Sequence, residues 1–146
     1  ITGVNMANIV PDSFKNELFL STHNFSSTAG NTFKLALYST STGFTAASTT
    51  VYTTTNEVSG TGYTATGASL TNLGSTVAQN ISFVDFSDVT FSTATITASA
   101  ALIYNTTNSS KAVVVLDFGG SKTSTNGDFT IQFPAANSTS AIIRIS

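Results

Sequence analysis

The run Lys111-Ala112-Val113-Val114-Val115-Leu116-Asp117-Phe118 constrains the fold more than any other part of the chain. It is short for a helix and rich in β-branched residues. An apolar run of this kind reads as a central strand covered on both faces. Asn105 to Ser110, just before it, is a polar turn. Ahead of that turn, Ala94 to Tyr104 places Ile96, Ala98, Ala100 and Leu102 in one register. Alternation at period two is strand periodicity. The two runs together predict a long hairpin.

The same pattern recurs along the chain. Phe33, Leu35 and Leu37 alternate with Lys34, Ala36 and Tyr38, and Thr40 to Gly43 supply turn chemistry. Residues 44 to 62 are Thr-rich and Gly-punctuated, with an extended piece near Val51-Tyr52-Thr53. Gly60, Gly62 and Gly67 flank Tyr63, which suggests a bulge beside a short strand that residues 68 to 73 extend. Asn80 to Phe86 forms a strand with Ile81, Phe83 and Asp85 on one side and Val84 and Phe86 on the other. Val89 and Phe91 follow after a break at Ser87-Asp88. Gly119 to Gly127 reads as a loop closed by Asn126-Gly127. Asp128 to Phe133 and Ala141 to Ile145 complete the set. The expected fold is all-β: an antiparallel β-sandwich, jelly-roll or Ig-like, of about seven to nine strands. Strand order is not visible, so a barrel remains the alternative, and no repeat period indicates a solenoid or propeller.

Residues 31–146 form the expected single sandwich domain, and residues 1–30 an N-terminal arm with a short helix. A length of 146 residues suits that division. Residues 1 to 12 carry no period and read as arm or loop; the Ile1 start is neither an initiator Met nor a signal peptide, and reads as either a mature or a trimmed terminus. From Asp12 or Ser13, either of which can cap a helix, Phe14 and Leu18 share a face at helical spacing, with Phe25 beyond them. An extended arm is the alternative. Phe14, Leu18, Phe19 and Phe25 are large apolar residues on a stretch too short to bury them alone, which marks them as interface residues.

Charge narrows the function classes. Charged residues are 8% of the chain, against about 25% in ordinary soluble domains. Ser and Thr supply roughly a third of the residues, so the surface is hydroxyl-rich rather than ionic. A net charge of −2 gives little repulsion between copies, which suits a protein packed in an assembly. Five scattered basic residues form no phosphate-neutralising stripe, so nucleic acid is not an expected partner. Without Cys there are no disulfides or thiolate metal sites. No apolar run approaches the roughly 20 residues of a membrane helix.

Candidate chemistry is sparse. His23 is the only histidine, a packing or capping residue more readily than a base, and no nucleophile elbow accompanies it. Lys34 and Lys111 flank strands and read as solvated edge charges. Asp85 with Asp88, and Asp117 with Asp128, could hold a glycosidic bond or a hard cation; accepting backbone N–H bonds in turns is the plainer reading. Gly60-Thr61-Gly62-Tyr63 lacks the lysine and helix start of a phosphate loop. Tyr38, Tyr52, Tyr63 and Tyr104 could stack on sugars, though packing is the commoner use. Sequons at Asn24, Asn80, Asn105, Asn108 and Asn137 are about as frequent as chance supplies in a chain this rich in Ser and Thr. No enzyme and no cofactor is expected.

Four phrases carry a resemblance: Asn31 to Tyr38, Tyr52 to Tyr63, Ala101-Leu102-Ile103-Tyr104, and Thr123 to Pro134. Over residues 13 to 146 the chain resembles a family of small virion proteins of tailed bacteriophages, including marine and cyanobacterial phages. Members mostly begin with Met and a short helix, from which the Ile1 start departs. The resemblance implies no catalytic residues. It implies a particle component, foremost a capsid decoration or cement protein, whose partners are copies of itself and the major capsid or tail proteins. Its place would be the virion, an extracellular particle assembled in the host cytoplasm. A tail or fibre subunit, a module binding a host glycan, and a self-assembling extracellular filament subunit are the alternatives.

Overall fold

The computed structural model describes residues 7–146. Eight strands and one helix follow in the order β1 (Ala7–Ile9), α1 (Asp12–Phe19), β2 (Phe33–Tyr38), β3 (Ala68–Ser69), β4 (Asn72–Ala78), β5 (Ile81–Phe86), β6 (Val89–Asn105), β7 (Lys111–Ile131) and β8 (Ile143–Ile145). They form an antiparallel five-stranded sheet, β1-β7-β6-β2-β3, and a three-stranded sheet, β4-β5-β8. The fold is all-β, as the alternation predicts.

The long hairpin is the spine. β6 has 17 residues and β7 has 21, and they pair from Val89↔Ile131 to Asn105↔Lys111. The expected loop at 119–127 is instead continuous strand. Its Ser and Thr residues resemble turn chemistry in sequence, but here they pair across the ribbon. Thr97 meets Thr123 at 2.8 Å, Ser99 meets Ser121 at 3.0 Å, and Thr90 meets Thr130 at 2.8 Å. Such facing hydroxyl pairs are a recognised element of sheet stability.

A bulge divides the ribbon. Ala98 pairs with Lys122 while Ala100 pairs with Asp117, so Ser99 faces the four residues Phe118 to Ser121. Gly119 (φ 69°) and Gly120 (φ 140°) supply backbone conformations that side chains disfavour. The bulge switches faces. Ile96, Ala98, Ala101 and Ile103 point into the core between the sheets, whereas Ala100, Leu102 and Tyr104 point to the outer face. The single register expected for Ile96, Ala98, Ala100 and Leu102 is therefore broken. Strict alternation cannot reveal an inserted residue.

The core between the sheets joins Phe33, Leu35 and Leu37 of β2 to Val84 and Phe86 of β5 and to the inward residues of β6 and β7. Phe25 and Phe33 stack with ring centroids 4.7 Å apart, and Phe86 meets Phe33 edge-on at 5.6 Å. The outer face carries Ala36, Tyr38, Ala100, Leu102, Tyr104, Ala112 and Val115, with Ile9, Phe44 and Tyr52 packed against them. Both faces of the central strands are thus covered, as the Val113-Val114-Val115 run predicts. The segment 39–67 provides part of the outer cover. Ser39 N–H donates to Asn56 O and Val58 N–H to Leu37 O, while Tyr52 N–H donates to Ser110 O at the far side.

Several local expectations are corrected. Residues 7–9, read as part of a structureless arm, pair with β7 at Ala7↔Asp117 and Ile9↔Val115; residues 1–6, with the Ile1 terminus, lie outside the described residues. The helix is present, but neither Asp12 nor Ser13 caps it. Pro11 holds the N-cap position without a side-chain bond, and Asp12 instead pairs with Lys15 at 2.9 Å. β4 extends well beyond the expected 68–73 piece, and the final strand is only Ile143–Ile145. Lys34 lies in β2, an internal strand, and bonds Thr66 Oγ1 at 2.7 Å, so it is no edge guard.

Gly67 shows how closely 39–67 lies on β2. Its φ is +73°, and an added Cβ would stand 1.8 Å from Leu35 O. The change Gly67→Ala therefore combines a disfavoured backbone with a backbone clash, and is expected to cost at least about 2 kcal/mol. Urea unfolding of the variant checks this; a midpoint equal to wild type would contradict the close approach.

Candidate functional site

Three features stand out: a buried ionic cluster under α1, a tyrosine cluster on the outer face, and an apolar groove beside α1.

The ionic cluster begins with sequence spacing. Glu17 is on the buried face of α1, and the turn after the helix brings His23 back toward it. Asn105 and Lys111 close the tip of the β6–β7 hairpin. Glu17 Oε2 meets His23 Nε2 at 2.8 Å, and Glu17 Oε1 accepts from Lys111 Nζ at 2.6 Å. His23 Nδ1 lies 3.0 Å from Asn105 Nδ2. The protonation pattern follows from the neighbours. Asn105 Oδ1 accepts the N–H groups of Thr107 and Asn108, so its Nδ2 is the atom facing His23. Nδ2 only donates, so Nδ1 accepts and the ring proton sits on Nε2, donated to Glu17. Asn105 Nδ2 also donates to Asn31 Oδ1 at 2.8 Å, and Asn108 Nδ2 donates to Thr22 O and Asn31 Oδ1.

Burial depresses the His23 pKa, assisted by the Lys111 charge and opposed by Glu17. Burial pushes the Glu17 carboxyl up, but hydrogen bonds and charge from Lys111 and His23 outweigh it and leave the net shift downward. Lys111 is therefore an ion-pair partner and not a solvated edge charge. Both shifts act in one direction on stability. Unfolded His23 takes up a proton below its ordinary 6.5 while the folded ring resists. Glu17 loses its contribution as pH falls below 4.5 toward its depressed value. Stability is accordingly expected to be full near neutrality and to fall in two acid windows, the upper opening near 6.5 and the lower near 4.5. Chemical denaturation across pH checks this; a flat profile between pH 7 and 5 removes the histidine window.

The outer face carries Tyr38, Tyr52 and Tyr104, while Tyr63 packs on Phe91 of the core between the sheets and reaches the same carboxylate, Glu57. Tyr52 and Tyr63 both donate to Glu57, at 2.5 Å and 2.7 Å, and Thr66 N–H donates to Glu57 Oε1 at 2.7 Å. Tyr38 donates to Thr53 O and Tyr104 to Thr66 O, each at 2.7 Å. Tyr52 and Tyr104 stack at 4.8 Å. Burial raises all four phenol pKa values. These hydroxyls pin 39–67 to the sheet. Tyr63 Oη also accepts from Leu37 N–H at 3.0 Å. Tyr63→Phe orphans that buried donor and is expected to cost about 1–3 kcal/mol, measured by urea unfolding; a loss under about 0.5 kcal/mol would contradict the anchoring role.

The aspartates accept backbone N–H groups, but only Asp117 does so in a turn. Asp85 bonds Phe86 N–H, Asp88 bonds Phe133 N–H, Asp117 bonds Gly119 N–H and Asp128 bonds Thr93 N–H. Burial raises the Asp85 pKa. Among the described residues no group of three His, Asp or Glu is placed to hold a metal ion.

The four residues singled out as an interface divide. Phe14 and Phe25 lie in the chain's own core, with rings 6.2 Å apart. Leu18 is half-buried, and Phe19 is 90% exposed, followed by Leu20 at 67%. Phe19 and Leu18 edge an apolar groove of about 920 Å³ that also borders Val10, Ile81, Ile143 and Ile145. Lys15 and Arg144 stand at its margin. A smaller groove of about 510 Å³ shares Phe14, Leu18, Ile143 and Ile145. Sequence reasoning missed the contribution of β8, because Ile143 and Ile145 read as ordinary strand residues and only folding sets them opposite α1.

Comparison with known proteins leaves the geometry to stand by itself: no family model, no curated protein and no solved structure matches this chain.

Proposed function

We propose that this chain is a non-enzymatic structural component of a virus particle, foremost a capsid decoration or cement protein of a tailed bacteriophage. It acts through symmetric contacts with copies of itself and with capsid proteins. One observation carries the reading: large apolar side chains, Phe19 and Ile145 (90% and 54% exposed), are left open to solvent beside an apolar groove. Contiguous apolar surface of this kind marks a protein contact. A stable contact buries about 1,000 Å² or more, and symmetry repeats it across a lattice. The low charge and the paired hydroxyls of the ribbon support the same reading, since they offer neighbours a surface with little charge to desolvate. The sequence resemblance points the same way.

A filament subunit is the second reading. The groove borders β1 and β8, which are edge strands of the two sheets. Unpaired edges accept an added strand from a neighbour. Sedimentation velocity separates the readings: growth of open-ended oligomers with concentration favours the filament, closed oligomers or monomers the particle component. No observation favours the glycan-binding module, because the four tyrosine hydroxyls are engaged within the chain.

The pair Phe19→Asp and Leu20→Asp tests the contact without touching the core. Each side chain is exposed, so stability is expected to change by no more than about 0.5 kcal/mol. Incorporation into particles carrying the chain is expected to fall at least about tenfold, a loss of roughly 1.4 kcal/mol of contact energy. Undiminished incorporation would sink the interface, and absence of the wild-type chain from purified particles would sink the reading itself.

A further inference from the structure

The ionic cluster does more than fill space. Two elements meet at His23: α1, through Glu17 and the ring of Phe14, and the hairpin tip, through Asn105; Lys111 of the same tip bonds Glu17, and Phe25 packs on the imidazole. Beyond the core packing of Phe14, its other ties to the rest of the fold are at its first turn, Asp12 N–H to Ala46 O at 2.8 Å and Ser13 Oγ to Thr49 O at 3.4 Å, so the cluster holds its far end. It is one turn longer than the shortest helices, with its Lys15–Asp12 pair on the exposed side. An eight-residue helix has little stability of its own, so its place depends on tertiary contacts.

We propose that Glu17, His23, Asn105 and Lys111 form an acid-operated latch, in which protonation of His23 at Nδ1 loosens α1 from the tip of the β6–β7 hairpin. The bond bookkeeping is direct. The neutral ring accepts from Asn105 Nδ2 and donates to Glu17. A proton on Nδ1 turns that acceptor into a donor aimed at another donor 3.0 Å away. Asn105 cannot turn its amide over in compensation, because Oδ1 holds Thr107 and Asn108 N–H and Nδ2 holds Asn31 Oδ1. The charged groups facing the ring are Glu17 from α1 and Lys111 from β7. Glu17 attracts the imidazolium; Lys111 repels it, and burial opposes the charge. The same direction follows from the lowered His23 pKa.

The consequence is local. α1 supplies Leu18 and Phe19 to the groove wall, so loosening it reshapes the groove. The hairpin below keeps its own ladder. Neutral surroundings hold the helix down, and acid below the ordinary histidine value of 6.5 loosens it. The latch stands on the cluster alone and holds whether or not the groove is a particle contact.

Native-state amide exchange, corrected for intrinsic rates, tests the latch between about pH 7 and pH 5, a range that stays above the ordinary Glu range of 4.5. Opening is expected to grow by up to about tenfold per pH unit below 6.5 until the folded ring itself titrates. Protection of α1 and of residues 20–25 is thus expected to fall at least about tenfold relative to β6 and β7. His23→Gln keeps one donor for Glu17 and one acceptor for Asn105 but does not titrate, so its protection ratio is expected to stay constant with pH. Should that variant not fold, imidazole nitrogen shifts of the wild type decide. A ring with its proton on Nε2 at neutral pH, titrating below 6.5 where the α1 protection loss levels off, supports the latch. Unchanged α1 protection while His23 titrates, equal loss in α1 and the hairpin, or an unaltered pH response in His23→Gln overturns it.

Discussion

The pairing of β6 with β7 is the interaction on which everything else rests. This ribbon runs the length of the domain and borders both cores. β1 and β2 attach to its two sides, so the five-stranded sheet has no existence without it. The bulge opposite Ser99 makes one ribbon serve two apolar layers. On one side of it the inward face carries Ile96 and Ala98. On the other side Ala101 and Ile103 take that role, freeing Leu102 and Tyr104 for the outer face. Without the inserted residues a strand of period two would present the same side-chain set to one face throughout.

Two polar clusters then fasten non-strand segments to this frame. Glu57 and the tyrosines hold 39–67 on the outer face, and Glu17, His23 and Asn105 hold α1 and its following turn at the hairpin tip. Their chemistry differs. The tyrosine cluster uses neutral hydroxyls around one carboxylate, and burial moves the phenols further from ionising. The histidine cluster carries an imidazole whose pKa burial lowers from its ordinary 6.5. Burial thus acts on the phenols by raising their pKa values and on His23 by lowering it. A buried charge is retained only with partners of this kind, because desolvation without them is costly. Among the described residues, Asp85 Oδ2 and the neutral amide Asn72 Nδ2 are buried polar atoms without a hydrogen-bond partner.

The chemistry of His23 bears on function. Both of its ring nitrogens are committed, one to Glu17 and one to Asn105, and neither faces a hydroxyl nucleophile. The carboxylates outside this cluster accept backbone N–H groups, tyrosines or Lys15. Side chains that sequence offers as candidate chemistry are thus spent on holding loops and turns. What stays available at the surface is apolar area beside α1 and a coat of hydroxyls along the ribbon. On those two features the proposed place in a particle rests.

The sequence by itself determined the class of fold, the long hairpin, the doubly covered central strand and the short helix. These rest on local periodicity and β-branching, which neighbours in the chain display directly. Three things were decided only in the folded molecule. Residues 119–127 became strand because Thr97, Ser99 and their partners face one another, a relation between positions far apart in sequence. Phe14 and Phe25 became core while Phe19 stayed exposed, because the side of α1 that meets the sheet depends on where the sheet lies. His23, Glu17, Asn105 and Lys111, scattered along the chain, became one cluster when the hairpin tip met the helix. Periodicity is a property of neighbours; a bulge, a buried face and an ionic cluster are properties of distant residues brought together, and only the closed fold specifies which ones meet.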